Sequence, residues 1–405
     1  MTETALILGA GQAGAQAAAS LRQEGFGGRI LLVGQEPLPP YQRPPLSKAF
    51  LAGELPAARL LIKPEAFYQQ LQVELRLGAM ATRLDAAARR LWLADGSRFD
   101  YDQLLLATGG RPRQLDCPGA AHPRLHYLRT VADVERLREG FRSGARLVVI
   151  GAGYIGLEVA AVAARHGLQV IVLEAAPRVL ARVSGAAIST FLQHVHAAAG
   201  VEIRCATAVA GIDGGPDLAR VHTTAGDVLE ADLVLAGIGL LPNVELALEA
   251  GISCDNGIVV DDLGRTSAAG VLAAGDCTNH PNAIYDCRWR LESVHNAIEQ
   301  AKTAAATMAG RNKPYAQVPW FWSDQYDFKL QTAGVNRGYD REVLRGDPQT
   351  HSFAVFYLRG RRLLAVDAVN RPAEFIAART LIPRATDVEP ERLSDEALPP
   401  QALLA

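Results

Sequence analysis

The sequence predicts an α/β protein in which one strand–turn–helix–strand unit is built twice, with a smaller α+β region at the end. Three stretches carry that reading. "TALILGAGQAGAQAAASLRQEGFGGRILLVGQE" starts as an apolar strand, turns through three glycines, continues as an alanine-rich helix and returns as an apolar strand. "ARLVVIGAGYIGLEVAAVAARHGLQVIVLEAAP" repeats the same plan further on. From Pro319 the pattern changes to short β-rich segments bounded by Gly and Asp turns, then a helix.

In the first unit the strand Ala5 to Leu8 runs into Gly9-x-Gly11-x-x-Gly14, and the next strand is Ile30 to Val33. Gly9 permits the tight turn, Gly11 lets a pyrophosphate approach the backbone, and Gly14 packs helix on strand. Unpaired amides and the dipole at the helix start favour the phosphates. Gln35 and Glu36, just past the second strand, are placed to reach a ribose hydroxyl. The second unit has Gly151-x-Gly153-x-x-Gly156 and a strand ending at Glu174. Glu174 should accept from the 2′ and 3′ ribose hydroxyls and repel a 2′-phosphate. Ala175, Ala176 and Pro177 follow, so no arginine comes directly after the acid, although Arg178 is near. NADH is expected over NADPH.

Two such units in one chain imply two Rossmann-like dinucleotide-binding domains, one for a bound FAD and one for an exchanging nicotinamide. "YDQLLLATGGRPR" is a strand ending in a glycine turn, and "GVLAAGDCTN" is another, ending at Asp276. A strand followed by Gly-Asp holds a carboxylate against a ribityl chain and leaves amides for phosphate.

Composition fits this class. A chain of 405 residues with 49% hydrophobic and 21% charged residues suggests two or three domains of about 150 residues with real cores. A net charge of −2 argues against nucleic acid as a partner. An apolar strand begins almost at the first residue with no basic leader before it, and no apolar run spans a bilayer. A cytoplasmic protein without a membrane segment is expected. Cys117, Cys205, Cys254, Cys277 and Cys287 include no C-x-x-C pair and no metal-ligand spacing.

Several segments together resemble a known group, the putidaredoxin reductase-like, FAD-dependent ferredoxin reductases. They are "YQRPPLSKAFL", "LLLATGGRPR", "YLRT", "GAGYIGLEVAA", "GIGLLPN", "AAGDC", "LESVHNAIEQA" and "PWFWSDQY", spread over nearly the whole chain. The resemblance implies the glutathione reductase-type fold: an FAD domain over 1–110 and 242–318, an inserted NAD domain over 111–241, and a C-terminal interface domain over 319–405. It implies FAD contacts at Ala13, Gln35, Lys48, Ala81, Arg129, Asp276 and Val294. Gln35 departs from the acid that members often carry, so its amide serves the ribose or Glu36 takes over. Val294 opens a helix whose first-turn dipole suits the negative edge of a reduced flavin.

Thiol-using relatives of this fold place redox cysteines in the region where this chain has "PPLSK". Lys48 carries no electrons, but its ammonium beside the flavin N5 favours a negatively charged reduced ring. Glu158, in the helix after the second glycine motif, is its expected partner and a candidate contact for the nicotinamide carboxamide. Trp320 and Trp322 alternate onto one side of an extended segment with Phe321 opposite. They are either core between domains or, for Trp320, a cover on the flavin. His295 reads as a packing histidine.

With no protein thiol to carry them, electrons are expected to pass directly to a docked iron–sulfur ferredoxin, of the [2Fe–2S] kind and near the flavin edge. The ferredoxin would feed a haem monooxygenase or a Rieske-type oxygenase. A nicotinamide gives two electrons as hydride and a cluster takes one at a time, so a flavin is needed between them. Residues 286–371 hold thirteen Lys and Arg against nine Asp and Glu. Arg288, Arg290, Arg311, Lys313, Lys329, Arg359, Arg361 and Arg362 are therefore candidates for a docking face toward an acidic partner. The expected oligomer is a monomer or weak homodimer. Rubredoxin reductase, or a nucleotide-sensing flavoprotein of the apoptosis-inducing type, are the alternative functions.

Overall fold

A computed structural model describes residues 3–385 and 387–404. The chain divides into two compact units. The first comprises residues 1–42, 57–111 and 241–319, and the second 43–56, 112–240 and 320–405.

The first unit is organised on a five-stranded parallel sheet. Its order is Val271–Ala273, Gln103–Leu106, Thr4–Leu8, Arg29–Val33, Val73–Arg76. Sequence order thus runs outward from the Thr4–Leu8 strand in both directions, which makes a topological switch point at the end of that strand. Four of these strands are largely apolar on both faces, as covered strands are, whereas the edge strand Val73–Arg76 leaves Glu74 and Arg76 exposed. Helix Gln12–Gln23 forms readily from its alanines. It stops in a Schellman turn: Gly25, at φ +88°, donates to the Arg22 carbonyl, and the Phe26 amide donates to that of Leu21. Its face of Ala13, Ala17 and Ala18 shares a core with Ala297, Ala301, Ala304 and Ala305 of helix Val294–Met308. Methyl groups on both sides let the two helices approach closely. A three-stranded antiparallel sheet, Ala81–Asp85, Arg90–Leu93 and Arg98–Asp100, also belongs to this unit.

The second unit repeats the parallel plan with Glu202–Arg204, Gln169–Leu173, Arg146–Ile150, Leu233–Ala236 and Leu125–His126. It also holds a five-stranded antiparallel sheet, ordered Trp320–Gln325, Phe328–Gly334, Arg362–Val369, Ser352–Arg359, Arg341–Asp347, followed by helix Pro372–Leu381. A fully buried carboxylate, Asp367, accepts from Ser184, Thr332 and Tyr357. Burial pushes its pKa up, against the pull of those three donors. The bonds tie the loop after the second glycine unit to the antiparallel sheet. No helix among the described residues is long and apolar enough to cross a membrane.

Candidate active site

Each glycine of the first turn is required for a different reason. Gly9 sits at φ +119°, and a Cβ there would lie 2.1 Å from the Ala107 carbonyl oxygen. A Cβ on Gly14 would lie 1.9 Å from the Gly9 oxygen. Gly11 is different: a Cβ there would meet no described atom within 4 Å. Its missing side chain leaves open space at a helix start that no side chain caps. Such a space can serve as a cradle for a phosphate group, with first-turn amides facing it.

A second turn joins this cradle. A Cβ on Gly275 would fall 3.1 Å from the Ala13 methyl and 3.8 Å from that of Ala297. The first turns of the two packed helices therefore flank the Gly275–Asp276 turn. Ala13, Asp276 and Val294 are brought to one end of the sheet, beside Gly9, Gly11 and Gly14. Within 271–280, a buried stretch otherwise, Asp276 alone keeps partial exposure. Sequence reasoning missed Gln300, whose carbonyl oxygen accepts from the Gly275 amide at 2.7 Å and from the Thr278 hydroxyl at 2.8 Å. It holds the turn in shape.

At the end of the second strand Gln35 is exposed, while the Glu36 carboxylate accepts from the Tyr41 hydroxyl at 2.5 Å. The Gly78 amide donates to the Glu36 carbonyl and that of Ala79 to the Gly34 carbonyl. This brings Ala81, at the start of its strand, toward the same edge.

In the second unit Gly151 has φ +100° and its Cβ would lie 2.6 Å from the Gly237 oxygen; a Cβ on Gly156 would lie 2.1 Å from the Gly151 oxygen. Gly153 again faces space, with the nearest atom at 3.9 Å, and again no side chain caps the helix. Glu174 reaches back over this turn and accepts from the Ala152 amide at 2.6 Å and the Ala176 amide at 2.8 Å. Its carboxylate is thus fixed beside the phosphate cradle with acceptor capacity left over. Arg178 is turned to the carbonyls of Ala181, Ser184 and Gly185 and to the Ser189 hydroxyl. Its guanidinium is occupied by the loop.

Lys48 and Glu158 form an ion pair at 2.7 Å, with Glu158 only 3% exposed and Lys48 18%. The same carboxylate accepts from Ser47 at 2.5 Å on one oxygen and from Ser323 at 2.6 Å on the other. A carboxylate removed from water needs such donors, since an unpaired buried charge is expensive. Both serines were missed from sequence, although Ser47 lies inside "PPLSK". Arg129 lies in this unit too, its carbonyl accepting from Arg43 at 2.5 Å. Trp320 packs on Trp322 and Phe375, with the Arg379 guanidinium 5.5 Å from its ring.

Most of the basic residues expected at a docking face are bonded within the fold. Arg288, Arg290, Arg311 and Lys313 belong to the first unit and the other four residues to the second. Arg311 and Lys313 pair with Glu24, Arg290 with Glu292, Lys329 with Asp324, and Arg361 with Glu389. Arg288 donates to the Val260 and Asn279 carbonyls. Of these acids Glu24 and Glu389 lie outside residues 286–371, so a count over that stretch leaves them out.

Comparison with known proteins agrees with this construction. A family model described as pyridine nucleotide-disulphide oxidoreductase matches residues 4–301, and one described as reductase C-terminal matches 320–404. The chain belongs to the pyridine nucleotide-disulphide oxidoreductase family. It is 44% identical over 410 residues to putidaredoxin reductase of Pseudomonas putida, covering all of this chain and 97% of the relative. Rhodocoxin reductase of Rhodococcus erythropolis is 44% identical over 391 residues, covering 96% and 92%. The solved covalent complex of putidaredoxin reductase with putidaredoxin superposes with a TM-score of 0.96 at 43% identity, covering 99% of this chain and 98% of that one. Within the family, then, this chain sides with ferredoxin reductases. Burial raises the thiol pKa of Cys117, Cys205, Cys254 and Cys277, the opposite of what a reactive thiolate needs.

Proposed function

We propose that the chain is an FAD-dependent NADH:ferredoxin oxidoreductase. The balanced reaction is NADH plus two oxidised ferredoxins giving NAD⁺, two reduced ferredoxins and a proton. The observation that carries the reading is the Lys48–Glu158 pair with Ser47 on the same carboxylate, in a chain that also holds two open phosphate cradles. It provides a fixed charge where a disulfide reductase would need sulfur.

The residues present fit both nucleotides. Gly9, Gly11, Ala13, Gly14, Ala81, Asp276 and Val294, with Glu36 or Gln35 at the ribose, would hold FAD, and Lys48, Arg129 and Trp320 are further proposed contacts. Gly151, Gly153, Gly156 and Glu174 would hold NADH. When bound, FAD supplies the exchange between a hydride and single electrons. The chain's own part is electrostatic. Lys48 presents a cation held in place by Glu158, and Glu158 also presents a carboxylate edge to a nicotinamide carboxamide. Glu174 selects NADH, because a 2′-phosphate would bring negative charge against it while Arg178 is committed elsewhere.

The acceptor reading draws on the relatives, one solved joined to putidaredoxin and another named for rhodocoxin. We place the acceptor among [2Fe–2S] ferredoxins serving a haem monooxygenase or Rieske-type oxygenase, docked near the flavin edge. We keep the three-part division at 1–110 with 242–318, 111–241 and 319–405, a monomer or weak homodimer, and the cytoplasm, where NADH is supplied. The test is steady-state turnover of the FAD-loaded protein with NADH or NADPH and with a [2Fe–2S] ferredoxin or a rubredoxin. A higher kcat/KM with NADH and ferredoxin is expected. Faster rubredoxin reduction would make it a rubredoxin reductase, and slow turnover with every acceptor protein would point to nucleotide sensing.

A further inference from the structure

The segment "WSDQY" does more than close a hairpin. Ser323 donates to Glu158 at 2.6 Å, and Gln325 donates its amide N–H to the Ser323 hydroxyl at 3.1 Å. The Gln325 carbonyl faces His196 Nε2 at 2.9 Å, and the Tyr326 hydroxyl faces His196 Nδ1 at 2.9 Å. Ser323, Gln325 and His196 are all buried, His196 at 0% exposure. His196 comes from helix Ala186–Ala198, so the chain of bonds joins two helices through one strand.

The direction of every bond follows from its end. The Glu158 carboxylate, paired with Lys48, only accepts, so Ser323 must give its proton to it. The Ser323 oxygen then accepts, which turns the NH₂ of Gln325 toward it and the carbonyl toward His196. That carbonyl requires a proton on Nε2, which leaves Nδ1 bare to accept from Tyr326. Burial also lowers the His196 pKa to about 4, so the ring stays neutral and keeps one acceptor nitrogen. Tyr326 is held at φ +49°, a conformation that L side chains rarely adopt and that here aims its hydroxyl at the ring.

We propose that Tyr326, His196, Gln325 and Ser323 form a one-directional hydrogen-bond chain that fixes the Glu158 carboxylate, and through it the Lys48 ammonium, making His196, Gln325 and Tyr326 positioning residues for the reductase reaction. This rests on the roles of Lys48 and Glu158 in the proposed function.

The test reads the ring directly. In ¹⁵N-histidine-labelled holoenzyme at pH 7, with His196 assigned by its loss in His196→Gln, the ring shows a protonated Nε2 and a bare Nδ1. Glu158→Gln replaces the acceptor-only end by an amide that can donate, so the imposed direction is lost and the Nδ1–H form appears. Tyr326→Phe changes almost no volume and removes only the far end of the chain; the Gln325 carbonyl still requires a proton on Nε2, so the ring keeps that form in a folded protein. Gln325→Leu cuts the chain and lowers kcat with NADH about tenfold, the upper worth of one ordinary hydrogen bond, with KM for ferredoxin unchanged. An Nδ1–H ring in the wild type, or a ring indifferent to Glu158→Gln, overturns the chain. Full turnover in Gln325→Leu with Glu158→Gln slowed overturns the positioning role and leaves the function of Glu158 standing. Full turnover in Glu158→Gln removes that function itself.

Discussion

In the first glycine unit the Gly9 amide donates to the Val33 carbonyl and the Gly34 amide to that of Arg76; in the second, Gly151 donates to Leu173 and Glu174 to Arg204. These bonds align the two units residue by residue, and the alignment puts Gly34 where the second unit has Glu174. A Cβ on Gly34 would come within 2.5 Å of the Ala10 methyl, so no acid fits there. The first unit carries its acid two residues later, at Glu36, steadied by Tyr41. The part of each site proposed to meet phosphate is backbone, and it is the same in both. The part proposed to meet ribose is side chain, and it differs. A backbone cradle can be used for any dinucleotide, whereas the reader at the strand end sets which one.

The sharpest way to break this comparison is to fill the glycines. Gly14→Ala and Gly156→Ala push a methyl into a carbonyl oxygen at about 2 Å and should each cost roughly 3 kcal/mol or more, seen as a large fall in Tm or as insoluble protein. Gly11→Ala and Gly153→Ala put the methyl into open space. Those proteins should keep their Tm within a few degrees and lose ligand instead. Gly11→Ala should purify without flavin; Gly153→Ala should stay yellow with a raised KM for NADH. Equal Tm losses at all four positions would mean that the open space is not a ligand's.

The ribose readers come next. Glu174→Ala should raise KM for NADH about tenfold, as expected for a lost charge-assisted hydrogen bond, and narrow the gap to NADPH. Glu36→Ala should weaken FAD retention and leave the NADH to NADPH ratio alone. A Glu36 variant that keeps its flavin while Gln35→Ala loses it would transfer the role to the exposed amide.

These differences also mark how far the sequence could be read. Gly9, Gly11 and Gly14 announce themselves because their spacing is local, and so does Glu174, one residue past its strand. Gln300 and Ser323 do not, since each acts on a residue far along the chain. A signal for the second was nevertheless present. Alternation puts Phe321, Ser323 and Gln325 on one face of the strand, and two polar side chains on an inward face call for partners. The basic excess is harder to read, because Glu24 and Glu389, which pair with its cations, lie outside the stretch counted.

A smaller difference separates two corresponding helices in acid. In each parallel sheet the helix leading into one edge strand, Val73–Arg76 or Glu202–Arg204, carries one fully buried titratable residue. It is Tyr68 in the first unit and His196 in the second. Burial pushes Tyr68 up to about 12, so it is silent in acid. His196 is pushed down to about 4 from 6.5. Between those values the unfolded chain takes up a proton that the folded ring refuses, so stability is present above pH 6.5 and is lost as the pH falls toward 4. The loss is on the order of 3 kcal/mol. His196→Gln should flatten the fall of Tm over that window relative to the wild type. Hydrogen exchange at pH 5 should show protection weakening in helix Ala186–Ala198 before helix Glu65–Gln70.

The smallest expected effect is none, and it concerns sulfur. Cys277 directly follows Asp276, as near to the proposed flavin cradle as a thiol in this chain comes by sequence. Yet it is 0% exposed and donates inward to the Leu106 and Ala274 carbonyls. Burial raises its pKa, so little thiolate is present at neutral pH. Replacing all five cysteines by alanine should lower Tm through small cavities, by about 1 kcal/mol for each buried site. NADH-to-ferredoxin turnover should stay within about twofold, the scatter expected when no reacting group has been removed. A folded, flavin-loaded variant that is still reduced by NADH but no longer passes electrons to ferredoxin would establish a thiol carrier. The ion pair of Lys48 and Glu158 would then no longer stand where a relay sulfur is dispensed with, because a second sulfur would be serving as the relay.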